Sequence, residues 1–499
     1  MTNSSPAFRY HISGLPGVIT EDSPLWEMPI TGKGSDGILI HEYFEQAQKF
    51  IQSENYQALQ DGVRFILNRE YPIAPLDNPV KSLDNPIEFL DNSHLLTGTT
   101  NNESLVITDI SKYFHINPIV LDKIDIYLEK HGAFYHPARV EVSIKEIEGL
   151  AEYNEPLTFV LNTAISPPGL ALVNNEYNLL KHLNELDENN SLPTVFKIET
   201  MSCRGMGIAF FLATWFDGYK EFHLTKSTDN DESCNLHLWN GDGSVSTIAS
   251  PACFEIYEKA SEILTHFYNI ETFEHISHWH HAAGDFITRP TEQGFDVKLI
   301  TVRSYDAIVE TDVSPENYHE ENKSDGGGGG DVADGSTENK MSNHEQGACN
   351  DSGSDKTEDM YKGLLLFFLN LTLRMRIDRI DGTGDYCMVD AKVIPFMLNG
   401  FFRALEKKKT TTNLSNNATL SKNIKKAEKP FGELFKPSFN DAFKSYLIQF
   451  THKNLYTILL AMTDELHPDS PETHFIRKKL ESHSEALFQY IRSYIPHIS

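Results

Sequence analysis

The residues best suited to chemistry lie in one short stretch near the middle of the chain. His275, His278, His280, His281 and Asp285 fall within eleven residues of sequence. Zinc, iron and manganese accept imidazole nitrogen and carboxylate oxygen, and a His-x-His pair presents two ligands to one ion. His278 and His280, completed by Asp285, therefore predict a transition-metal site, for example for Zn²⁺. The alternative is that these histidines are polar residues satisfied by backbone hydrogen bonds.

Asp285 has a second interpretation that needs no transition metal. It stands between Gly284 and the apolar pair Phe286 and Ile287. A carboxylate at the start of a buried strand can act as a general base toward a hydroxyl group or bind a divalent ion. The alternative is an Asx turn that closes the loop, because Gly284 precedes it.

A second charged cluster lies in the sequence LRMRIDRIDGTGD, directly after a very apolar segment. Arg374 and Asp378 are four residues apart, which predicts an ion pair along one helical face. We interpret the cluster as a partly buried arginine network that supports the core, with a site for an anionic ligand as the alternative. Its charged residues are Arg374, Arg376, Asp378, Arg379 and Asp381.

The overall charge argues against two classes of partner. The chain has 43 Lys and Arg against 71 Asp and Glu, so its formal net charge is −28. Phosphate backbones and anionic lipids both attract cationic surfaces, so we expect neither general nucleic-acid binding nor membrane association. The apolar run 364–373 is about half as long as a membrane crossing, which predicts a buried core helix.

The five cysteines are scattered and form no Cys-x-x-Cys pair, which argues against a disulfide framework or a cysteine-rich zinc site. A reducing compartment suits this cysteine usage, and the first residues do not resemble a signal peptide, so we expect a cytoplasmic protein. Gly205 and Gly207 complete no dinucleotide-binding motif, and the sequence has neither a P-loop nor a nucleophile-elbow serine motif.

Hydrophobic periodicity predicts the elements that must position these groups. Four helices are expected at His41 to about Asn68, 107–132, 169–186 and 251–269. Strands are expected at 138–147, 157–166, 194–201, 208–216 and 295–305. The first two of these strands form an antiparallel hairpin, and the helix at 169–186 carries Glu176.

The remaining segments differ in composition. Residues 312–359 are acidic, contain five consecutive glycines and have almost no apolar residues, which predicts a disordered insertion. Residues 407–430 are a basic, polar linker, and residues 431–499 are predicted to form C-terminal helices. Residues 1–130 are interpreted as a mainly helical N-terminal extension.

This order of elements resembles the protein-kinase and aminoglycoside-phosphotransferase superfamily. In that superfamily a small sheet lobe carries one helix, and the catalytic loop follows the first long helix of a second lobe. The resemblance covers about 130–305 and rests on topology, with degenerate motifs. It implies an α+β, bilobal fold. The small antiparallel-sheet lobe would span 131–225, and the larger, mainly helical lobe would span 226–311 and 360–406.

The resemblance also implies roles for particular residues. Asn162 stands where the family has its strand lysine, and Glu176 stands on the helix whose glutamate pairs with that lysine. His281 and Asp285 would be the catalytic residues, because they lie in the expected catalytic loop. The residues implied to bind the nucleotide are Asn162, Glu176, Arg303 and Asp306.

Three functional hypotheses follow. The first is a phosphotransferase-like protein, active or a pseudoenzyme, that binds a nucleotide or a small anionic ligand between two lobes, with ATP and Mg²⁺ as cofactor. The second is a metal-dependent hydrolase or oxidoreductase that uses His278, His280 and Asp285. The third is a non-catalytic cytosolic interaction protein whose acidic segment recruits a protein partner.

Overall fold

The chain has an α+β fold and divides into two compact units in the computed structural model. Unit 1 comprises Met1–Lys220, Asn240–Ser244 and Lys298–Ser304, and unit 2 comprises Glu221–Trp239, Val245–Val297 and Tyr305–Ser499. The structure describes residues 6–31, 37–52, 56–70, 120–129, 135–145, 155–226, 234–239, 244–248, 251–279, 284–292, 294–307, 353–380, 383–420, 438–464 and 470–495.

Unit 1 is built on a six-stranded sheet. The strands of this sheet are β1 (Ala7–Ile12), β4 (Leu121–Leu128), β5 (His136–Ile144), β6 (Leu157–Ala164), β7 (Val195–Cys203) and β8 (Met206–Thr214). A separate short pair is formed by β2 (Pro29–Ile30) and β3 (Ile38–Leu39). The strand order is β1-β4-β5-β6-β8-β7. Strand β1 runs parallel to β4, and the other neighbours are antiparallel, so the sheet is mixed and not purely antiparallel as predicted.

The two faces of this sheet are covered by different helices. Helices α1 (Ile40–Gln52) and α2 (Tyr56–Glu70) share one apolar core with β6 and β8 side chains such as Leu161 and Phe210. Successive strand residues point to opposite faces, so Phe211 points away from that core. Its ring centroid lies 6.2 Å from that of Tyr177 on α3 (Pro167–Asn184), which therefore packs on the second face.

The predicted helix around Glu176 is confirmed as α3. Ser166 caps its start by accepting a hydrogen bond from the Gly169 main-chain nitrogen at 3.2 Å, and Pro167 and Pro168 occupy the first turn, where a missing N–H costs nothing. The predicted strand pair after it is confirmed as β7 and β8, joined by a tight turn in which Arg204 and Gly205 both have positive φ.

The helix predicted over 107–132 is wrong where the structure describes that stretch. Residues 121–128 form strand β4, in which Ile124, Ile126 and Leu128 are buried toward the core and the intervening residues lie on the second face. This period of two is typical of a half-buried strand. Within 1–130, strands β1 and β4 belong to the sheet and helices α1 and α2 cover one of its faces, so the described part of this stretch is built into unit 1.

A second sheet has the strand order β11-β10-β9-β13-β14, and two further strand pairs are β12 with β15 and β16 with β17. Their bounds are β9 (Lys220–Lys226), β10 (Cys234–Trp239), β11 (Val245–Ile248), β12 (Glu274–Ser277), β13 (Phe286–Thr291), β14 (Gly294–Leu299), β15 (Ser304–Ala307), β16 (Ile377–Arg379) and β17 (Tyr386–Met388). Unit 2 is thus less exclusively helical than predicted.

The helices of unit 2 enclose its core. Those the structure describes are α4 (Ala252–His266), α5 (Gly353–Arg374), α6 (Ile394–Leu420), α7 (Phe439–Leu447), α8 (His452–Asp464) and α9 (Pro471–Tyr494). The apolar run 364–373 lies on α5 and is almost wholly buried, which confirms the predicted core helix. Among the described helices, none has the length and hydrophobicity needed to cross a membrane.

The predicted acidic insertion lies largely outside the described residues, whereas the predicted basic tract does so only in its last part. Most of the acidic insertion falls in 308–352, and α5 begins at Gly353, a few residues before the point where the core was expected to resume. The first part of the basic tract continues α6 to Leu420, and 421–437 lie outside the described residues.

Candidate functional site

Helix α3 and the segment after β14 are joined by two hydrogen bonds within unit 1. The Glu176 side chain is 2% exposed, and its Oε1 accepts a hydrogen bond from the Val302 main-chain nitrogen at 3.1 Å. The neighbouring Asn175 Nδ2 donates to the Arg303 carbonyl oxygen at 2.9 Å. Adjacent α3 residues thus hold Val302 and Arg303 by their main chain, which fixes this segment independently of its side chains.

Asn162 lies on the sheet face that α3 covers. It is the direct cross-strand partner of Phe211, and residues directly opposite each other point to the same face. Since Phe211 packs on Tyr177 of α3, Asn162 and Glu176 belong to the same side of unit 1. An amide and a carboxylate therefore occupy the side on which the resemblance implies a lysine and a glutamate.

The same face carries a charged network at its β1–β4 end. Asp125 accepts hydrogen bonds from Arg9 Nε at 2.5 Å and Arg9 Nη2 at 2.9 Å, and it lies 3.2 Å from His11 Nε2 and 2.9 Å from Lys123 Nζ. Burial acts to raise the pKa of Asp125, but the hydrogen bonds from Arg9, Lys123 and His11 outweigh it and lower the pKa to about 2. Asp125 is therefore ionised at neutral pH.

Arg139 on β5 continues this charged face. Its Nε donates to Glu129 at 2.8 Å, it also pairs with Glu141, and its guanidinium lies 4.1 Å from the centroid of the Tyr127 ring. Since Tyr127 lies opposite Arg139 in the register, both belong to the face of Asn162. We call the residues Arg9, His11, Asp125, Tyr127, Arg139 and Asn162 the polar face of unit 1.

Sequence reasoning missed most of the polar face. The signal was present in β4, where Lys123, Asp125 and Tyr127 alternate with buried apolar residues. It was overlooked because the stretch was interpreted as a helix, on which these three positions would not share a face.

An aromatic pair lies where β8 leads out of the sheet. The ring centroids of Phe216 and Tyr219 are 5.6 Å apart, and Lys298 Nζ lies 5.8 Å and 5.9 Å from them. The two rings are partly exposed and tilted by 57° to each other, so a planar, anionic molecule can stack on one of them beside the cation.

Arg139, Lys197 and Arg303 are the cations of unit 1 that could replace the family's strand lysine, and their surroundings differ. Arg139 is engaged by two carboxylates, as described above. Lys197 lies opposite Leu212, which belongs to the apolar core on the other face of the sheet. Arg303 is held near Glu176 by its carbonyl oxygen. Asp306 lies on β15 and is exposed, three residues beyond Arg303.

In unit 2 the predicted histidine cluster is only partly described. His275 is buried on β12 against the Phe367 ring, with a centroid distance of 5.6 Å, and burial lowers its pKa. His278 is exposed with a positive φ of 58° and lies 3.1 Å from the Ser277 hydroxyl. His280 and His281 lie outside the described residues. The two described histidines thus differ sharply in exposure.

Asp285 is 1% exposed and immediately precedes β13. Before it, Gly284 has a φ of 85°, and a Cβ at this position would lie 3.5 Å from a carboxylate oxygen of Glu221. His223 Nε2 lies 3.5 Å from Glu221 Oε2. Glu221 therefore approaches the turn that carries Asp285, a neighbour that the sequence did not predict.

The described residues contain no group of three or more His, Cys, Asp or Glu side chains arranged to hold a metal ion. His280 is not among them, so the metal site of His278, His280 and Asp285 stays a prediction. His281 also lies outside the described residues, so its catalytic role stays a prediction.

The arginine cluster forms a buried network, but the predicted helical pair is wrong. Helix α5 ends at Arg374, which pairs with Glu472, whereas Asp378 lies on β16. Arg376 Nε donates to the Val389 carbonyl oxygen at 2.9 Å, and its Nη1 lies 2.9 Å from His483 Nδ1. Burial, followed by the Arg376 charge, lowers the pKa of His483, so a neutral imidazole accepts this hydrogen bond. These contacts favour a structural role.

Comparison with protein-family models gave no match, and neither did a search of curated proteins. The kinase-like resemblance therefore rests on this chain's own residues and topology.

Proposed function

We propose that this chain is a pseudoenzyme of the phosphotransferase type, which binds a nucleotide or a related small anionic ligand on unit 1 without transferring phosphate. The observation that carries the proposal is the hydrogen bond from the Val302 main chain to the buried Glu176 carboxylate. In active kinases the helix glutamate instead orients a lysine that binds the nucleotide phosphates. Here the Val302 main-chain N–H binds one oxygen of the glutamate that would otherwise pair with the lysine, and the neutral Asn162 stands at the lysine position.

The catalytic-loop position supports the same conclusion. The kinase loop has the pattern His-Arg-Asp-x-x-x-x-Asn, in which the asparagine stands seven positions after the histidine. His278 and Asp285 have this spacing, and Asp285 directly precedes β13. In this alignment, which replaces the one based on His281, His280 takes the place of the catalytic aspartate. A histidine there would not provide the carboxylate that accepts the substrate proton.

The third charged kinase position, after the strand lysine and the catalytic aspartate, is the metal-binding aspartate of the Asp-Phe-Gly motif. The segment next to Glu176 reads Thr301-Val302-Arg303, with Val302 fully buried. Val302 would correspond to the apolar phenylalanine, and Thr301 to the aspartate that holds Mg²⁺. A threonine hydroxyl is a far weaker ligand for a hard cation than a carboxylate. Phosphoryl transfer depends almost entirely on such charges, so replacement at three positions predicts no turnover.

Ligand binding is supported by the polar face of unit 1 and by the aromatic pair Phe216 and Tyr219. The polar face offers the Asn162 amide, because its two guanidinium groups pair with carboxylates, and the aromatic pair offers partly exposed rings beside the Lys298 cation. Amides hydrogen-bond phosphate oxygens, and aromatic rings stack on nucleobases. A nucleotide combines both requirements in one molecule.

Isothermal titration with ATP and ADP, each with and without Mg²⁺, tests binding directly. We expect binding to the wild-type chain, weakened about tenfold in Asn162→Ala because loss of a ligand hydrogen bond costs about 1.4 kcal/mol. The matched control is Asn235→Ala, which changes an exposed strand asparagine of unit 2 and should leave the affinity unchanged. An absence of nucleotide binding, or equal affinity in both variants, would contradict the proposed site.

A further inference from the structure

Two cysteines of unit 2 lie next to each other although they are far apart in sequence. Cys234 is the first residue of β10, and Cys387 is the central residue of β17. Both are free cysteines, and their thiols form a side-chain hydrogen bond. Cys387 is buried, whereas Cys234 is only partly buried and so remains within reach of a small molecule.

The approach of the two thiols is built into the strands. Leu224 on β9 forms a parallel bridge with Ile380, next to β16, and Lys226 Nζ lies 3.7 Å from Asp385 Oδ2. These contacts join the β9–β10 hairpin, which carries Cys234, to the β16–β17 hairpin, which carries Cys387. The pair therefore does not depend on two flexible side chains meeting by chance.

The surroundings of the two thiols differ in charge. Lys226 is the direct cross-strand partner of Cys234, and Asp378 is that of Cys387. The hydrogen bond from Cys387, together with the Lys226 cation, lowers the pKa of Cys234 against the effect of burial. The hydrogen bond with Cys234, burial and the Asp378 carboxylate raise the pKa of Cys387. Cys234 is thus the thiol that ionises first, and the thiolate is the reactive form.

We propose that Cys234 and Cys387 are an oxidation site that closes into an intramolecular disulfide when the protein meets hydrogen peroxide. The Cys234 thiolate attacks one peroxide oxygen, the O–O bond breaks, and a sulfenic acid and water form once a proton is taken up. The Cys387 sulfur then attacks the sulfenic sulfur, the S–S bond forms, and the hydroxyl group leaves as water with the Cys387 proton. Two thiols are oxidised, and one peroxide is reduced to two waters.

The neighbouring Cys253 provides an internal control. It lies on α4 four residues before Tyr257, which also interacts with Cys234 and Cys387, and burial raises the pKa of Cys253 to about 11. A thiol that stays protonated reacts slowly with peroxide, so Cys253 should not take part. Cys253 lies near the proposed pair, and it differs from Cys234 in the raised pKa of its thiol.

The experiment treats the purified full-length chain with hydrogen peroxide, alkylates the remaining thiols and maps the peptides without reduction. We expect one peptide pair linked through Cys234 and Cys387, which a dithiol reductant separates. Cys253→Ser should form the same link, and Cys387→Ser should instead leave a sulfenic acid on Cys234 that dimedone traps. Lys226→Met should slow alkylation of Cys234 several-fold, because the cation that favours the thiolate is gone.

Three results would overturn the proposal. One is a link between Cys234 and any other cysteine in the wild-type chain. Another is peroxide-treated protein in which Cys234 is oxidised and Cys387 remains a free thiol. The third is that both stay reduced at a peroxide dose that oxidises glutathione in the same tube.

Discussion

At the residue scale, the Asp125 network makes the clearest prediction about pH. The pKa of this carboxyl is about 2 in the folded chain, against an ordinary value of 3.8. Because the folded pKa is the lower one, its contribution is complete above about pH 4 and is lost as the pH falls toward 2. The shift corresponds to about 2 kcal/mol of unfolding free energy at neutral pH.

Asp125→Asn should therefore lower the unfolding free energy by about 2 kcal/mol at pH 7 and flatten its decline between pH 4 and pH 2. Urea denaturation across this pH range measures both effects. The control is Asp217→Asn, which changes an exposed aspartate of the same unit. A variant with the acid dependence of the wild type would show that Asp125 is not the titrating group.

Glu176 tests the link between α3 and Val302. Glu176→Gln keeps an oxygen that can accept the Val302 N–H and should cost about 1 kcal/mol or less. Glu176→Ala leaves that buried donor unsatisfied and opens a cavity, so it should cost about 2–4 kcal/mol. Denaturant titration of both variants checks this, with Glu188→Gln as an exposed control. Equal stability of the Gln and Ala variants would contradict the hydrogen bond.

The sequence could identify residues that face each other across short distances in the chain, but not across long ones. Glu176 and Asn162 were chosen because the resemblance implies roles for them, and they lie on a helix and the strand just before it. The bond between Arg9 and Asp125 spans 116 positions, and nothing local marks the partner. Glu221, which approaches Gly284, was missed for the same reason.

At the scale of elements, the crossing of α4 and α6 depends on one glycine. A Cβ on Gly400 would lie 2.0 Å from the Glu258 carbonyl oxygen, so the two helix backbones are in direct contact there. Ser261 Oγ adds a hydrogen bond to the Met397 carbonyl oxygen at 2.8 Å, and Arg403 pairs with Glu258. Only glycine allows this approach.

Gly400→Ala should destabilise unit 2 even though alanine is the better helix former. The propensity gain is about 1 kcal/mol, whereas a clash with main-chain atoms can be relieved only by separating the helices, at about 1–3 kcal/mol or more. Asn399→Ala, which also raises helix propensity but at the partly exposed preceding position of α6, is the control. Thermal unfolding decides the sign, and a higher melting temperature for Gly400→Ala would show that the helices are not in contact.

The elements themselves were predictable where the pattern was long and local. Helix α3 has a serine cap, two prolines and an apolar stripe, and the β7–β8 hairpin has a glycine in its turn. Strand β4 was misread because it follows a stretch without clear periodicity and because three of its eight residues are charged. The segment is a strand because it pairs with β1 and β5, and β1 is more than 100 residues away in sequence.

At the scale of the whole molecule, the sequence predicted an α+β chain but not the return of a late segment to the first unit. Residues 298–304 belong to unit 1 although the preceding residues, Val245–Val297, belong to unit 2. This return brings Val302 to Glu176 and Arg303 to Asn175. Composition and periodicity describe segments one at a time, so neither reveals that a short segment rejoins an earlier unit.

We propose a phosphotransferase-type fold whose charged transfer positions have been replaced. The most direct measurement is Mg²⁺-dependent turnover of ATP by the full-length chain, compared with the same chain carrying Asp285→Ala. We expect that neither protein releases or transfers phosphate above the rate without protein, under conditions in which ATP is bound. Turnover by the wild-type chain that Asp285→Ala abolishes would contradict the proposal, because Asp285 would then act in an intact catalytic site.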